Sequence, residues 1–169
     1  ILERCQAQKT LLPVPHAVYV VMETLKGLEY AHNRQVIRNG RPEPLNIVHR
    51  DISPANLLVS YQGEVKITDF GIAKASVKAL DTMSGVVKGR FDYMSPEQAR
   101  GDIGAIDERS DLYSACVMFH EFVTLNHYLA NQTTMGGMLK VITQGTAEER
   151  RKLWDIYANA HPAQTLPPA

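Results

Sequence analysis

IVHRDISPANLLVS, residues 47–60, places a carboxylate, Asp51, and a carboxamide, Asn56, five residues apart, with Pro54 between them and an apolar run directly behind. Pro54 has no backbone donor and disfavours helical geometry at Ser53. The segment is therefore read as non-helical, a loop leading into a strand that presents Asp51 and Asn56. A carboxylate held this way can orient a hydroxyl and accept its proton. A carboxamide oxygen is a hard ligand, better suited to Mg²⁺ than to a soft metal.

Downstream, Leu57, Leu58 and Val59 predict a short strand, the YQGE stretch at 61–64 a turn, and Val65 with Ile67 a second strand. This β-hairpin delivers another carboxylate in Asp69-Phe70-Gly71. Asn56 and Asp69 as oxygen ligands, with Asp51 separate, fit metal-assisted phosphoryl transfer to a hydroxyl. Upstream, Val18, Val21, Met22, Leu25 and Leu28 recur at helical spacing over 15–32, with Pro15 in the first turn. Residues 33–46, rich in Arg, Asn, Gly and Pro, read as an exposed loop.

Residues 69–100 keep no steady period and read as a long functional loop. From about Asp107 to Thr124 the pattern is helical, and LYSACVMF at 112–119 marks a helix buried all round. Short helices are expected near 139–142 and 148–157, before a proline-rich tail. The fold class is thus mainly α with a small β-hairpin.

The 169 residues suffice for one domain, and 18 basic against 18 acidic side chains give no support for nucleic-acid binding. With 44% hydrophobic and 21% charged residues the composition is that of a soluble globular protein. No apolar stretch reaches a membrane span, and no signal peptide is visible. Cys5 and Cys116 lie outside any CxxC pair and read as reduced thiols of a cytoplasmic protein. His120-Glu121 begins a zinc-protease pattern, but Thr124 stands where its second histidine belongs.

Taken together, His49-Arg50-Asp51 through Asn56, Asp69-Phe70-Gly71 and Tyr93-Met94-Ser95-Pro96-Glu97 resemble the catalytic loop, metal-binding tripeptide and activation-loop end of eukaryotic-like protein kinases. The wording HRDISPANLL and YMSPEQAR is most similar to bacterial Ser/Thr-type kinases. The resemblance implies a partial kinase domain over 1–169: the C-terminal lobe (α+β), from the helix before the catalytic loop to the region after the buried central helix. The N-terminal lobe and the last helices would be absent. It also implies ATP and Mg²⁺ as cofactors and a protein as substrate.

In that family Asp51 is the base that orients the substrate hydroxyl, and Asn56 and Asp69 hold Mg²⁺ on the ATP phosphates. Leu58 packs under the adenine. His49 and Phe70 stack in a spine anchored by Asp111, which could also simply cap the following helix, a role compatible with anchoring. Arg50 receives a phosphorylated activation-loop side chain, for which Ser76, Thr82 and Ser84 are candidates. Glu97 pairs with an arginine beyond this stretch.

Three departures stand out. Ser53 replaces the lysine usual two residues after the catalytic aspartate, and Arg90 replaces the threonine usual after Gly89. Arg90 is expected to supply the charge that Ser53 lacks. Ser95 stands where alanine is common. In addition, no G-x-G-x-x-G and no V-A-I-K-like strand occurs, so the residues alone are expected to be inactive. A pseudokinase scaffold remains an alternative, opposed by the intact Asp51, Asn56 and Asp69. A small-molecule kinase is a further one, opposed by the long segment from Asp69 to Glu97.

Overall fold

The computed structural model describes residues 2–70, 92–132 and 134–144. Two long helices form the centre. Helix α2, Val14–His32, starts with proline in its first turn, as its sequence favours, and α4, Glu108–Thr124, is capped by the Asp107 side chain accepting from Arg109 N. They pack together with Ala17, Leu28, Ile52, Ala115, Met118, Phe122 and Val123 in one core.

The buried face of α2 differs in part from the expected one, although Leu28 is buried and Val21 packs against the core as foreseen. Ala17, Thr24, Leu28 and Ala31 are buried, whereas Val18, Met22 and Leu25 are among the exposed large hydrophobics. Two apolar stripes lie side by side on this helix, and the one with small residues faces inward. Alanine at 17, 31 and 115 lets the two helix backbones approach, which a bulkier stripe would prevent. On another side of α2, Gly27 admits the strand that ends at Ile67, since a Cβ there would meet the Ile67 Cδ1 at 3.0 Å. Thr24 lies in the inward face because its hydroxyl bonds back to the Val20 carbonyl.

Around this pair the chain adds a short α1, Leu2–Gln8, which the sequence reading did not anticipate, and two separate antiparallel hairpins. The foreseen hairpin joins β3, Leu57–Val59, to β4, Val65–Ile67, with Leu57 opposite Ile67. The other corrects the expected loop at 33–46. There β1, Gln35–Arg38, pairs with β2, Arg41–Pro44, through Asn39 and Gly40, both at positive φ (50° and 75°). Two such residues make the turn whose twist suits adjacent antiparallel strands.

Further corrections are local. Pro54–Asn56 forms a single 3-10 turn rather than an irregular loop, while Ser53 is extended (φ −160°, ψ 163°), as a residue before proline must be. The expected loop over 69–100 includes α3, Pro96–Arg100. α4 is not buried all round, because Leu112 is 42% exposed and Cys116 is exposed one turn later. The helix expected near 139–142 is α5, Met135–Gln144. Its Met138 and Ile142 bury with Leu129 in a second cluster against Ala99 of α3. The helix expected over 148–157 lies outside the described residues, as do Gly71, Ser76, Thr82, Ser84 and Arg90. Among the described residues no helix is long and apolar enough to cross a membrane.

Candidate active site

Ile52, 1% exposed, roots the segment after Asp51 in the core, and Asp111 on α4 fixes the segment before it. The Asp111 carboxylate is fully buried. Its Oδ2 accepts from the backbone N–H of His49 at 2.8 Å and from His32 Nε2 at 2.8 Å, and its Oδ1 accepts from the backbone N–H of Arg50 at 2.7 Å. A buried carboxylate demands such donors. Asp111 is therefore an anchor and not the cap of α4, a role taken by Asp107.

His49 is the joint between loop and hairpin. Its Nδ1 accepts from the Asp51 N–H at 3.2 Å, so the bonding pattern assigns the ring proton to Nε2, which donates to the Thr68 carbonyl at 2.8 Å. The ring meets Phe70 edge-on, with centroids 4.6 Å apart and an interplanar angle of 61°. The His49 and Phe70 rings are thus in edge contact, and Asp111 holds the backbone on which His49 stands.

The β3–β4 hairpin brings the remaining groups together. Asn56 donates from Nδ2 to the Asp51 carbonyl at 2.7 Å, so its Oδ1 is the side-chain atom that could hold a cation. The Asn56 carbonyl accepts from Thr68 N at 2.9 Å and from Thr68 Oγ1 at 3.3 Å. Asp69 follows at once, in the left-handed region (φ 56°) and exposed. Asp51, Asn56 and Asp69 therefore share one hydrogen-bonded frame. Leu58, on β3, is 59% exposed.

On the other side, α3 is tied to the same loop. Ser95 and Gln98 form a reciprocal capping box: the Ser95 hydroxyl accepts from Gln98 N, and the Gln98 Oε1 accepts from Ser95 N at 3.0 Å. Gln98 Nε2 donates to the Arg50 carbonyl at 2.9 Å. This accounts for Ser95, whose hydroxyl an alanine could not supply. Arg50 itself has φ 68°, and it borders an open cavity of about 310 Å³ with His32, residues 46–48 and the start of α4. Glu97 accepts from the Ser110 hydroxyl of α4. Burial works against its ionisation, but that bond and others outweigh it and hold the carboxyl below its usual pKa.

Behind α3, the Tyr93 hydroxyl donates to the buried Glu121 carboxylate, to which Gln6 Nε2 also donates at 3.4 Å. Burial, followed by the bond to Glu121, pushes the Tyr93 phenol up. His127 stands against Tyr93 with ring centroids 5.1 Å apart, and burial lowers its pKa.

Sequence reading missed His32, Thr68 and Gln98. Ser95-x-x-Gln98 is itself a capping-box signature and could have revealed Gln98. Nothing local marks His32 as a partner of a residue 79 positions away.

The protein kinase domain family matches residues 2–165, and the chain belongs to that family. It is 40% identical over 142 residues to the tyrosine-protein kinase MasK of Myxococcus xanthus, covering 84% of this chain and 21% of that protein. A probable serine/threonine-protein kinase PknB of Bifidobacterium longum is 44% identical over 108 residues (62% of this chain, 14% of that one). The serine/threonine-protein kinase PknL of Mycobacterium tuberculosis is 41% identical over 111 residues (65% and 25%). The chain thus spans a quarter or less of these relatives.

Proposed function

We propose that these residues are the C-terminal-lobe part of an ATP-dependent protein kinase of the bacterial type, transferring a γ-phosphate to a protein hydroxyl, serine or threonine first. The frame joining Asp51, Asn56 and Asp69 supports this reading: Asn56 bonds to the Asp51 carbonyl and Thr68, next to Asp69, bonds to the Asn56 carbonyl, so a carboxylate suited to accept a proton and two hard oxygen groups stand on linked segments. Among the described residues no three His, Cys, Asp or Glu side chains could jointly hold a metal ion. A carboxamide and a carboxylate suit Mg²⁺, which keeps its other positions for phosphate and water.

When bound, Mg²⁺–ATP supplies the phosphoryl group and the charge neutralisation. Asp51 orients the acceptor hydroxyl and takes its proton. Asn56 and Asp69 hold the cation, and Leu58 offers its exposed side chain to the adenine. His49, Phe70 and Asp111 keep the frame in register. Gly71 closes the Asp69-Phe70-Gly71 tripeptide, Glu97 ties α3 to α4, and Thr82 and Ser84 are the proposed phosphorylation sites that Arg50 would receive. Arg90 is proposed to replace the missing lysine charge at Ser53; unchanged transfer in an Arg90→Ala protein would sink that assignment. The likeness to MasK leaves tyrosine as the second acceptor to assay. A cytoplasmic setting belongs to this proposal, supported by the two free cysteines.

The test is phosphate transfer from labelled ATP by the full-length protein. An Asp51→Ala change should lower it by about a hundredfold to ten-thousandfold. A polypeptide of residues 1–169 alone, with no glycine-rich loop in its sequence, should transfer none. ATP binding with no transfer to any protein would leave the scaffold reading in its place.

A further inference from the structure

The β1–β2 hairpin stands apart from the core, with nearly all its residues exposed and Ile37 68% exposed. Its hydrogen-bond register decides what its edges can do. Leu45 N donates to the Arg34 carbonyl at 2.9 Å, so 34 and 45 form a hydrogen-bonded pair of the ladder. Such pairs alternate along antiparallel strands, which makes 36 with 43 and 38 with 41 the next ones. The backbone groups of Gln35 and Ile37 on β1, and of residues 42 and 44 on β2, consequently point outward.

The two edges are unlike. On β2 both outward positions are proline, Pro42 and Pro44, which have no N–H to offer a further strand. On β1 the outward positions keep both donor and acceptor, and no hydrogen bond within the described residues engages the backbone N–H of Gln35 or Ile37. One edge is closed by chemistry and the other is open. An open, exposed edge of this kind is a template for strand addition.

Charge selects the occupant. Arg34 and Arg38 flank the open strand, Arg41 pairs with Arg38 from β2, and Glu43 offsets them only in part, at 3.9 Å from Arg38. Arg34 is positioned over the Tyr30 ring, 5.5 Å from its centroid. A second copy would place two basic strands side by side; paired about Val36, each Arg38 would face the other copy's Arg34. We infer that the β1 edge, residues 35–38, docks an extended acidic segment of a partner protein by strand addition.

The register writes the partner's pattern. Residues opposite Arg34 and Arg38 share one face and are acidic, four apart, while the residue opposite Ile37 lies on the other face and is apolar. Glu-Val-Thr-Val-Glu satisfies this in either strand direction. β2 runs through residues 45–48 into His49, so the hairpin that would dock the segment is joined directly to the loop carrying Asp51. This inference stands on the hairpin alone and survives if no phosphate is transferred.

The experiment titrates the chain into a fluorescent peptide containing Glu-Val-Thr-Val-Glu and follows anisotropy. Saturable binding is expected, weakened at least about tenfold by Ile37→Pro, which removes an outward donor and no ladder bond. Continued exchange protection of the Val36 and Arg38 amides would verify that the hairpin persists. Arg38→Glu gives an independent arm: it should reverse preference toward a Lys-Val-Thr-Val-Lys peptide. Three results would overturn the inference: no saturable binding, binding indifferent to both changes, or sedimentation showing a dimer that Ile37→Pro dissolves.

Discussion

Asp111→Asn is the most searching single perturbation of this fold. The carboxylate takes three donors, the backbone N–H groups of His49 and Arg50 and the His32 ring, and its own side chain is fully buried. Asparagine keeps the volume but turns one oxygen into an NH₂ group facing a donor. Hydrogen bonds to charged groups contribute about 1.5–3 kcal/mol each, and a stranded buried donor costs about 1–3 kcal/mol. Losing one bond outright and weakening the others should cost about 2–3 kcal/mol in Asp111→Asn, and about 3–5 kcal/mol in Asp111→Ala. Against a typical total of about 5–15 kcal/mol this is a large fraction. Urea unfolding followed by circular dichroism measures it, from the shift in midpoint at constant slope. His32→Ala should cost less, about 0.5–1.5 kcal/mol, because that ring lies near the surface and water can replace it. An Asp111→Asn protein within about 0.5 kcal/mol of the parent would refute the anchoring role.

Tyr93→Phe removes the hydroxyl that serves buried Glu121 and should destabilise by about 1–3 kcal/mol in the same assay. Burial lowers the His127 pKa from 6.5, so the unfolded chain binds this proton more tightly than the folded one. Stability is therefore fully present above 6.5 and declines as pH falls below it; His127→Gln should flatten that part of the pH–stability curve. Gly40 has open space around its Cα but a φ of 75°, so Gly40→Val should weaken the hairpin by about 1–2 kcal/mol. Amide exchange should then rise at Val36 and Arg38 while α2 and α4 keep their protection.

Much of the site was legible because its residues are clustered in sequence and their chemistry is local. Pro54 dictated the backbone at Ser53, and the alternation at Val65 and Ile67 dictated the strand that delivers Asp69. The hairpin at 35–44 was misread despite the Asn39-Gly40 turn. Its flanking residues are arginine and proline instead of the β-branched alternation that signals a strand, and Ile37, its one large apolar residue apart from Val36, faces solvent. The buried face of α2 was misread for the opposite reason. Val18, Met22 and Leu25 are the more hydrophobic candidates, but helix separation favoured Ala17, Thr24 and Ala31, and no single-helix pattern contains that distance. His32 acts on Asp111 and the Gln98 Nε2 on the Arg50 carbonyl, both far along the chain where spacing carries no information, whereas the Ser95–Gln98 capping box is written in the spacing.

Arg50 sits in an unusual position for an arginine. Its N–H is held from one side by α4 and its carbonyl from the other by α3, while its left-handed backbone leaves no slack between them. The peptide frame is thus pinned through its backbone alone, whatever the guanidinium contacts. In the proposed kinase, the side chain that receives a charged group and the carboxylate that accepts a proton would sit on adjacent residues, with the backbone of the first fixed independently of its own side chain.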